Sequence, residues 1–563
     1  MTGKPLRVVV AAVLAAVVAM LAGPGAASAA ASHALIQGSG SSWAANAINQ
    51  WVADVANQGM QVVFTANGAA QGRKDYANRQ TDFGVSDIPY LGKDPTTGQA
   101  DTSLGRSFAY LPIAAGGTSF PYHLVVNGTM VRNLRLSGQT LARIFTDQIT
   151  SWSDAAITKD NNGNALPAIP IIPVVHSEGA GVSTMFTRYL AKQYPSIWAP
   201  CNGGIDAETE YFPLNCGRSS GNEKAQAGSD GVMNFIKSKD ANGSIGIEEY
   251  SYPLLSNYPA VKLLNQAGYF TLPTQYNVAV ALTKAVINND ASSPNYLTQN
   301  LDNVYTNPDP RTYPLSSYVY AIIPTAANDS RMTTAKRQTL ADFLYYSICQ
   351  GQAEIGPIGY SSLPINLVQA GFDQIGKLKT ADSGVDLTRR NVSTCNNPTF
   401  IAGHPNVNHL AQIAPQPPAC DHVGAGLCAP GQGAYNGDPS GTHATGGGNG
   451  AGSNPDGRGG TGTAHPTSSL SPGAASATQS TPGSTGPASP GARVGGTDPG
   501  QTGSTDGGFG VGNVAEPLTL PSDDQPGPPW ILTALAIGLF LSALVVPVLV
   551  SRRLTRPRPG APR

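Results

Sequence analysis

The chain is 563 residues long, and only 12% of its residues are charged, with 34 Lys and Arg against 35 Asp and Glu. That share is about half the usual one, and a net charge of −1 leaves no electrostatic footprint for nucleic acid.

At the N-terminus, Lys4 and Arg7 precede the apolar run VVVAAVLAAVVAMLAG and the small-residue string PGAASAAASH. Together they predict a secretory signal peptide over 1–29, cut near Ala29. The apolar run is short and an A-x-A site follows it, which argues against an uncleaved anchor.

The predicted folded part, 33–428, is long enough for two packed lobes. ALIQGSGSSW leads into AANAINQWVADVANQ, where Ala47, Ile48, Trp51 and Val52 fall on one helical face. VVF at 62–64 reads as a buried strand, and the alternation of strand and helix predicts an α/β layer fold with parallel strands. Glycine-rich strand-to-helix turns occur at 38–42 and 179–183. Such turns aim free backbone N–H groups at an anion, and in open α/β sheets ligands collect at these strand ends. Each turn taken singly is more often plain geometry, and neither carries the GK[ST] of a P-loop.

Catalytic patterns are sparse in the sequence: there is no H-E-x-x-H and no cysteine at catalytic spacing. Of eight histidines only His33, His123 and His176 precede residue 400, too few for a histidine-built metal site. The expectation is no enzyme, no metal and no cofactor. Six cysteines in an exported chain point to disulfides. Sequence neighbours suggest Cys201 with Cys216, Cys349 with Cys395 and Cys420 with Cys428, among about 15 formal connectivities.

From 429 to 528 the chain is dominated by Gly, Ser, Thr and Pro, a composition that cannot bury enough surface to fold. As a flexible coil of about 100 residues it would span roughly 50–60 Å. WILTALAIGLFLSALVVPVLV at 530–550 carries no charge and matches the roughly 20 residues of a transmembrane helix. Arg552, Arg553, Arg556 and Arg558 follow in the 551–563 tail, which the positive-inside rule keeps cytoplasmic. The expected location is therefore the extracellular face of the membrane, with the C-terminal helix as anchor.

Several segments carry a resemblance. GSGSSWAANAINQW, TDFGVSDIPY, SGQTLARIFTDQITSWSDAAI, VVHSEGAGVSTMFTRYL, GSIGIEEYSYP, AGYFTLPT and IGYSSLP stand in this order. Over nearly all of 35–375 the chain resembles the extracytoplasmic phosphate-binding protein of ABC phosphate importers. The resemblance implies a two-lobe periplasmic-binding-protein-like (type II) α/β fold that clamps its ligand by hinge closure. Lobe one is expected at about 33–120 plus 313–400 and lobe two at 121–312.

That family is expected to bind phosphate without metal, through hydroxyls, helix N-terminal amides, one arginine and one aspartate. An aspartate accepts a hydrogen bond only from a protonated oxyanion, so it favours phosphate over sulfate. Ser42 matches the first hydroxyl donor, Trp43 an aromatic whose backbone N–H is used, and Asp87 the aspartate. The family's serine after the second strand falls on Ala69, and its arginine falls at or near His176. Its Ser-Gly-Thr falls on Ala180, Gly181 and Val182. Amides of Gly181 and Val182 can still point inward, with Ser183 and Thr184 beside the lost hydroxyls. The plainer alternative makes Ser183 and Thr184 ordinary first-turn residues, His176 a surface side chain and Glu178 a helix-start charge.

Two functions follow. One is a cell-surface solute-binding protein that captures phosphate or a related small ligand for an ABC permease. The other is a surface-displayed domain of the same fold with an altered or lost pocket and no transport role.

Overall fold

The computed structural model describes residues 33–428 except 96, 219, 220, 389, 405, 406 and 427. The predicted signal peptide, spacer, transmembrane helix and tail lie outside the described residues. No helix among the described residues is long and apolar enough to cross a membrane.

The chain opens with strand β1 (Ile36–Gly40), helix α1 (Ala45–Ala56), β2 (Val62–Thr65), α2 (Ala69–Ala77) and β3 (Phe83–Ser86). The helical stripe of α1 is buried at Ala47, Ile48 and Trp51, and is extended by Val55 rather than Val52. β1 lies between β2 and β3, parallel to both. β2 is the sheet's edge strand, so Val63 faces water at 48% exposure where its apolar composition suggested full burial.

Two crossings join the lobes. β4 (Phe108–Ser119) belongs to the first sheet, and the chain passes through Phe120 and Pro121 into β5 (Tyr122–His123) of the second. The second sheet is completed by β6 (Ile172–His176), β7 (Lys224–Gln226) and β8 (Ser244–Gly246). After Ile247 the chain returns to the first sheet as β9 (Glu248–Glu249), antiparallel to β4. The sheet orders are β9-β4-β12-β3-β1-β2 and β7-β6-β8-β5, where β12 is Ser316–Pro324. β6 pairs in parallel with β7 and β8. Two sheets joined by these two short crossings are the expected two-lobe α/β fold.

Helix α3 (Gly181–Gln193) follows β6, and α4 (Gly228–Lys237) follows β7. Helix α5 (Gln275–Leu282) packs on β4 and β12 of the first sheet. It is followed by a small hairpin of β10 (Val286–Ile287) and β11 (Gln299–Asn300). The three disulfides pair Cys201–Cys216, Cys349–Cys395 and Cys420–Cys428, the pairing suggested by sequence neighbours. Beyond Cys395, Asp421 is buried against Arg135 at 2.8 Å and Lys262 at 2.7 Å, fastening the end of the described chain to the second lobe.

Candidate functional site

Three helices start at the interlobe cleft without a side-chain cap: α1 after Ala44, α2 after Gly68 and α3 after Ala180. Alanine and glycine there forgo the hydrogen bond that Ser, Thr, Asp or Asn would give. The backbone N–H groups of Ser42, Trp43, Ala69, Gly181, Val182 and Ser183 find no acceptor among the described residues. All six residues are buried. A buried helix start without partners is a site that accepts an anion.

Asp87 stands among them. Its carboxylate accepts from the Ser41 hydroxyl at 2.9 and 2.8 Å and lies against the backbone of Gly181, where a Cβ would come within 1.8 Å of Oδ2. Burial pushes the Asp87 carboxyl up to about 7, partly offset by the Ser41 hydroxyl and by Arg73. Near neutral pH it is therefore poised between accepting and donating a proton.

The lobes meet around this point. Ala70 N–H donates to Gly179 carbonyl at 3.1 Å. The Ser42 hydroxyl is turned to Ser229 of α4 at 2.9 Å, so it is Ser41, not Ser42, whose side chain reaches Asp87. Trp43 is buried edge-on to Tyr360, whose hydroxyl donates to the Trp43 carbonyl at 2.7 Å. Ser183 is fully buried and its hydroxyl has no partner. Val182 is buried and contributes only its N–H.

His176 is buried, not at the surface. Its Nδ1 lies 2.8 Å from Glu178 and its Nε2 3.5 Å from Glu248. Burial disfavours the imidazolium, but the two carboxylates outweigh it and raise His176 to about 10. It is a cation at neutral pH whose charge is already compensated. Glu178 in turn accepts from the Gly228 N–H at 3.1 Å, at the start of α4.

Sequence reasoning missed Arg73. It projects from α2, fully buried, and donates to Asp101 at 3.1 Å and to the Ser86 hydroxyl at 3.0 Å. It also bonds Glu210, which lies in the segment between α3 and β7. Burial works against its charge, yet Glu210 and Asp101 hold the guanidinium above its usual range. Nothing near 73 in the sequence marks this, since both acids come from far along the chain. Ser41 lies just past the end of β1, and on that strand Ser39 donates to Asp75 at 2.7 Å. The cleft thus offers amide dipoles, one buried hydroxyl and a neutralisable carboxyl, while Arg73 and His176 are spent on acids of the protein.

A family model described as a PBP superfamily domain matches residues 25–350, more than half of the chain. "Phosphate-binding protein PstS 3" of Mycobacterium tuberculosis (strain ATCC 25618 / H37Rv) is 29% identical over 335 residues, covering 58% of this chain and 82% of that protein. "Phosphate-binding protein PstS" of Xylella fastidiosa (strain Temecula1 / ATCC 700964) is 29% identical over 338 residues, covering 59% and 83%. Among solved structures, a phosphate-binding protein from Stenotrophomonas maltophilia aligns at a TM-score of 0.47 and 16% identity, over 63% of this chain and 99% of that one.

Proposed function

Because the chain belongs to the PBP superfamily, we propose that it is an extracytoplasmic solute-binding protein that takes phosphate, in a protonated form, in its interlobe cleft. The observation that carries this reading is the set of buried, acceptor-free N–H groups at the starts of α1, α2 and α3, with Asp87 set against the last of these at Gly181. Donors in this number call for an oxyanion, and the carboxyl among them calls for one that still has a proton. Its curated relatives are named as phosphate-binding proteins, which favours phosphate over other oxyanions.

Affinity is weaker than a full cradle would give. Each missing hydrogen bond to a charged ligand forfeits about 1.5–3 kcal/mol. With Ala69, Ala180 and Val182 in place of hydroxyls, and no uncompensated cation, a dissociation constant near ~1 mM is expected. The role is binding and delivery to an ABC permease rather than catalysis. The sequence features outside the described residues support export by the signal peptide and retention at the outer membrane face by the helix at 530–550, with the Gly/Ser/Thr/Pro-rich spacer as tether.

The reading is tested by calorimetric titration of the full chain with phosphate and sulfate at about pH 5.5 and about pH 8. Saturable phosphate binding, stronger at the lower pH, with sulfate rejected at about pH 8 where the Asp87 carboxylate is ionised, supports it. No heat with phosphate at either pH leaves the altered-pocket alternative, in which the contacts of Asp87 with Ser41 and Gly181 serve only to hold the lobes together.

A further inference from the structure

Beside the cleft, under the β10–β11 hairpin, the protein has a cavity of about 370 Å³ bordered by Asp87, Arg188, Gln299, Tyr318 and Tyr320. A second cavity of about 310 Å³ shares Ile287, Gln299 and Tyr318 with it and continues along α5. These volumes fall in the range of about 300–1,000 Å³ typical of small-molecule sites.

Gln299 stands in the wall common to both. Its backbone is fixed by pairing with Ile287. Its side-chain Nε2 and Oε1 are both buried and both without a partner. Leaving such a group unsatisfied costs about 1–3 kcal/mol per polar atom, so the carboxamide calls for a ligand that both donates and accepts. Tyr318 adds a buried ring that lines both cavities.

Charge narrows the class. Arg188 is paired with Asp302 at 2.8 Å, so the cavity presents no uncompensated cation, and Asp87 at its end repels full anions. A hydroxyl group satisfies both halves of a carboxamide, and the C–H face of a ring sugar packs on an aromatic side chain. We propose that this cavity binds a neutral polyhydroxylated small molecule, a monosaccharide or a cyclitol, held by Gln299 and Tyr318. Asp87 borders both sites, but the groups that hold the ligand here, Gln299 and Tyr318, are not those of the phosphate reading, and the ligand differs in charge.

The test is titration of the full chain with glucose, galactose and myo-inositol, followed by saturation-transfer NMR and calorimetry. At least one is expected to bind with a dissociation constant of about 1 mM or tighter. Gln299→Leu and Tyr318→Phe should each weaken that binding about tenfold or more, while phosphate binding by the Gln299→Leu chain stays as in the parent. Tyr318→Phe removes a single oxygen and serves should Gln299→Leu fail to fold. The proposal is overturned if none of the three compounds binds at about 10 mM, or if binding is indifferent to both substitutions.

Discussion

The Asp87 carboxylate rests against the backbone of Gly181, so close that a methyl group on Gly181 would come within 1.8 Å of Oδ2. One residue belongs to the first lobe and the other starts the helix that follows β6 of the second. The contact places an ionisable group at a helix start where the dipole favours negative charge, and it requires glycine. Gly181→Ala must displace Asp87, at a cost of about 1–3 kcal/mol as overpacking. Thermal unfolding should show the loss, and phosphate titration should show weaker binding than in the parent chain.

Arg73 ties the first lobe to Glu210 across the cleft and holds Asp101 as well. Removing one partner from a buried ion pair leaves charge unpaired, at about 3–5 kcal/mol. Arg73→Met is expected to destabilise by that order. The paired substitution Arg73→Met with Glu210→Gln should cost less than the sum of the single changes, which a double-mutant cycle in denaturant measures.

His176 links stability to pH. Its folded value of about 10 lies above the ordinary 6.5. The stabilisation is therefore complete below about pH 6.5 and is lost as pH rises through about 10. Asp87, raised from 3.8 to about 7, has the same sign in a lower window, losing its contribution between about pH 4 and 7. The parent chain should melt at progressively lower temperature from about pH 6.5 to 10, and His176→Asn should melt lower throughout, with a flatter slope across that window.

The Cys349–Cys395 bridge closes a sequence separation of 46 residues, and loop-closure entropy assigns it ~4 kcal/mol. It also anchors the segment that ends in Asp421 beside Arg135 and Lys262. Replacing both cysteines by serine should lower the denaturant midpoint. Limited proteolysis should then cut first in the segment after 395.

Much of the architecture was legible because it rests on local periodicity. The apolar stripe of α1 and the glycine turns before α1 and α3 each follow from a few adjacent residues. β2 reads as buried in the sequence but is half exposed, because composition reports apolar character and not what covers an edge strand. At the site, Asp87 and Gly181 were legible from motif, but not that they touch each other. That the Ser41 hydroxyl reaches Asp87 depends on where β1 ends, which no local pattern marks. Arg73 was invisible for a different reason: Glu210 lies 137 residues away, and no spacing in the sequence announces such a partner. The burial of His176 is not legible in the sequence because one of its two carboxylates, Glu248, comes from a strand of the other sheet.

The central claim is that buried amides hold an oxyanion while Asp87 demands a proton from it. The most direct measurement is sulfate titration of the Asp87→Asn chain beside its parent at about pH 7.5. Asparagine presents an N–H where the carboxylate presented only acceptors. The account predicts that sulfate, excluded by the parent, binds the variant with a dissociation constant of about 1 mM or tighter, and that phosphate binds both. Sulfate rejected by both chains, with phosphate affinity unchanged, would mean that Asp87 does not face the ligand and would contradict the account.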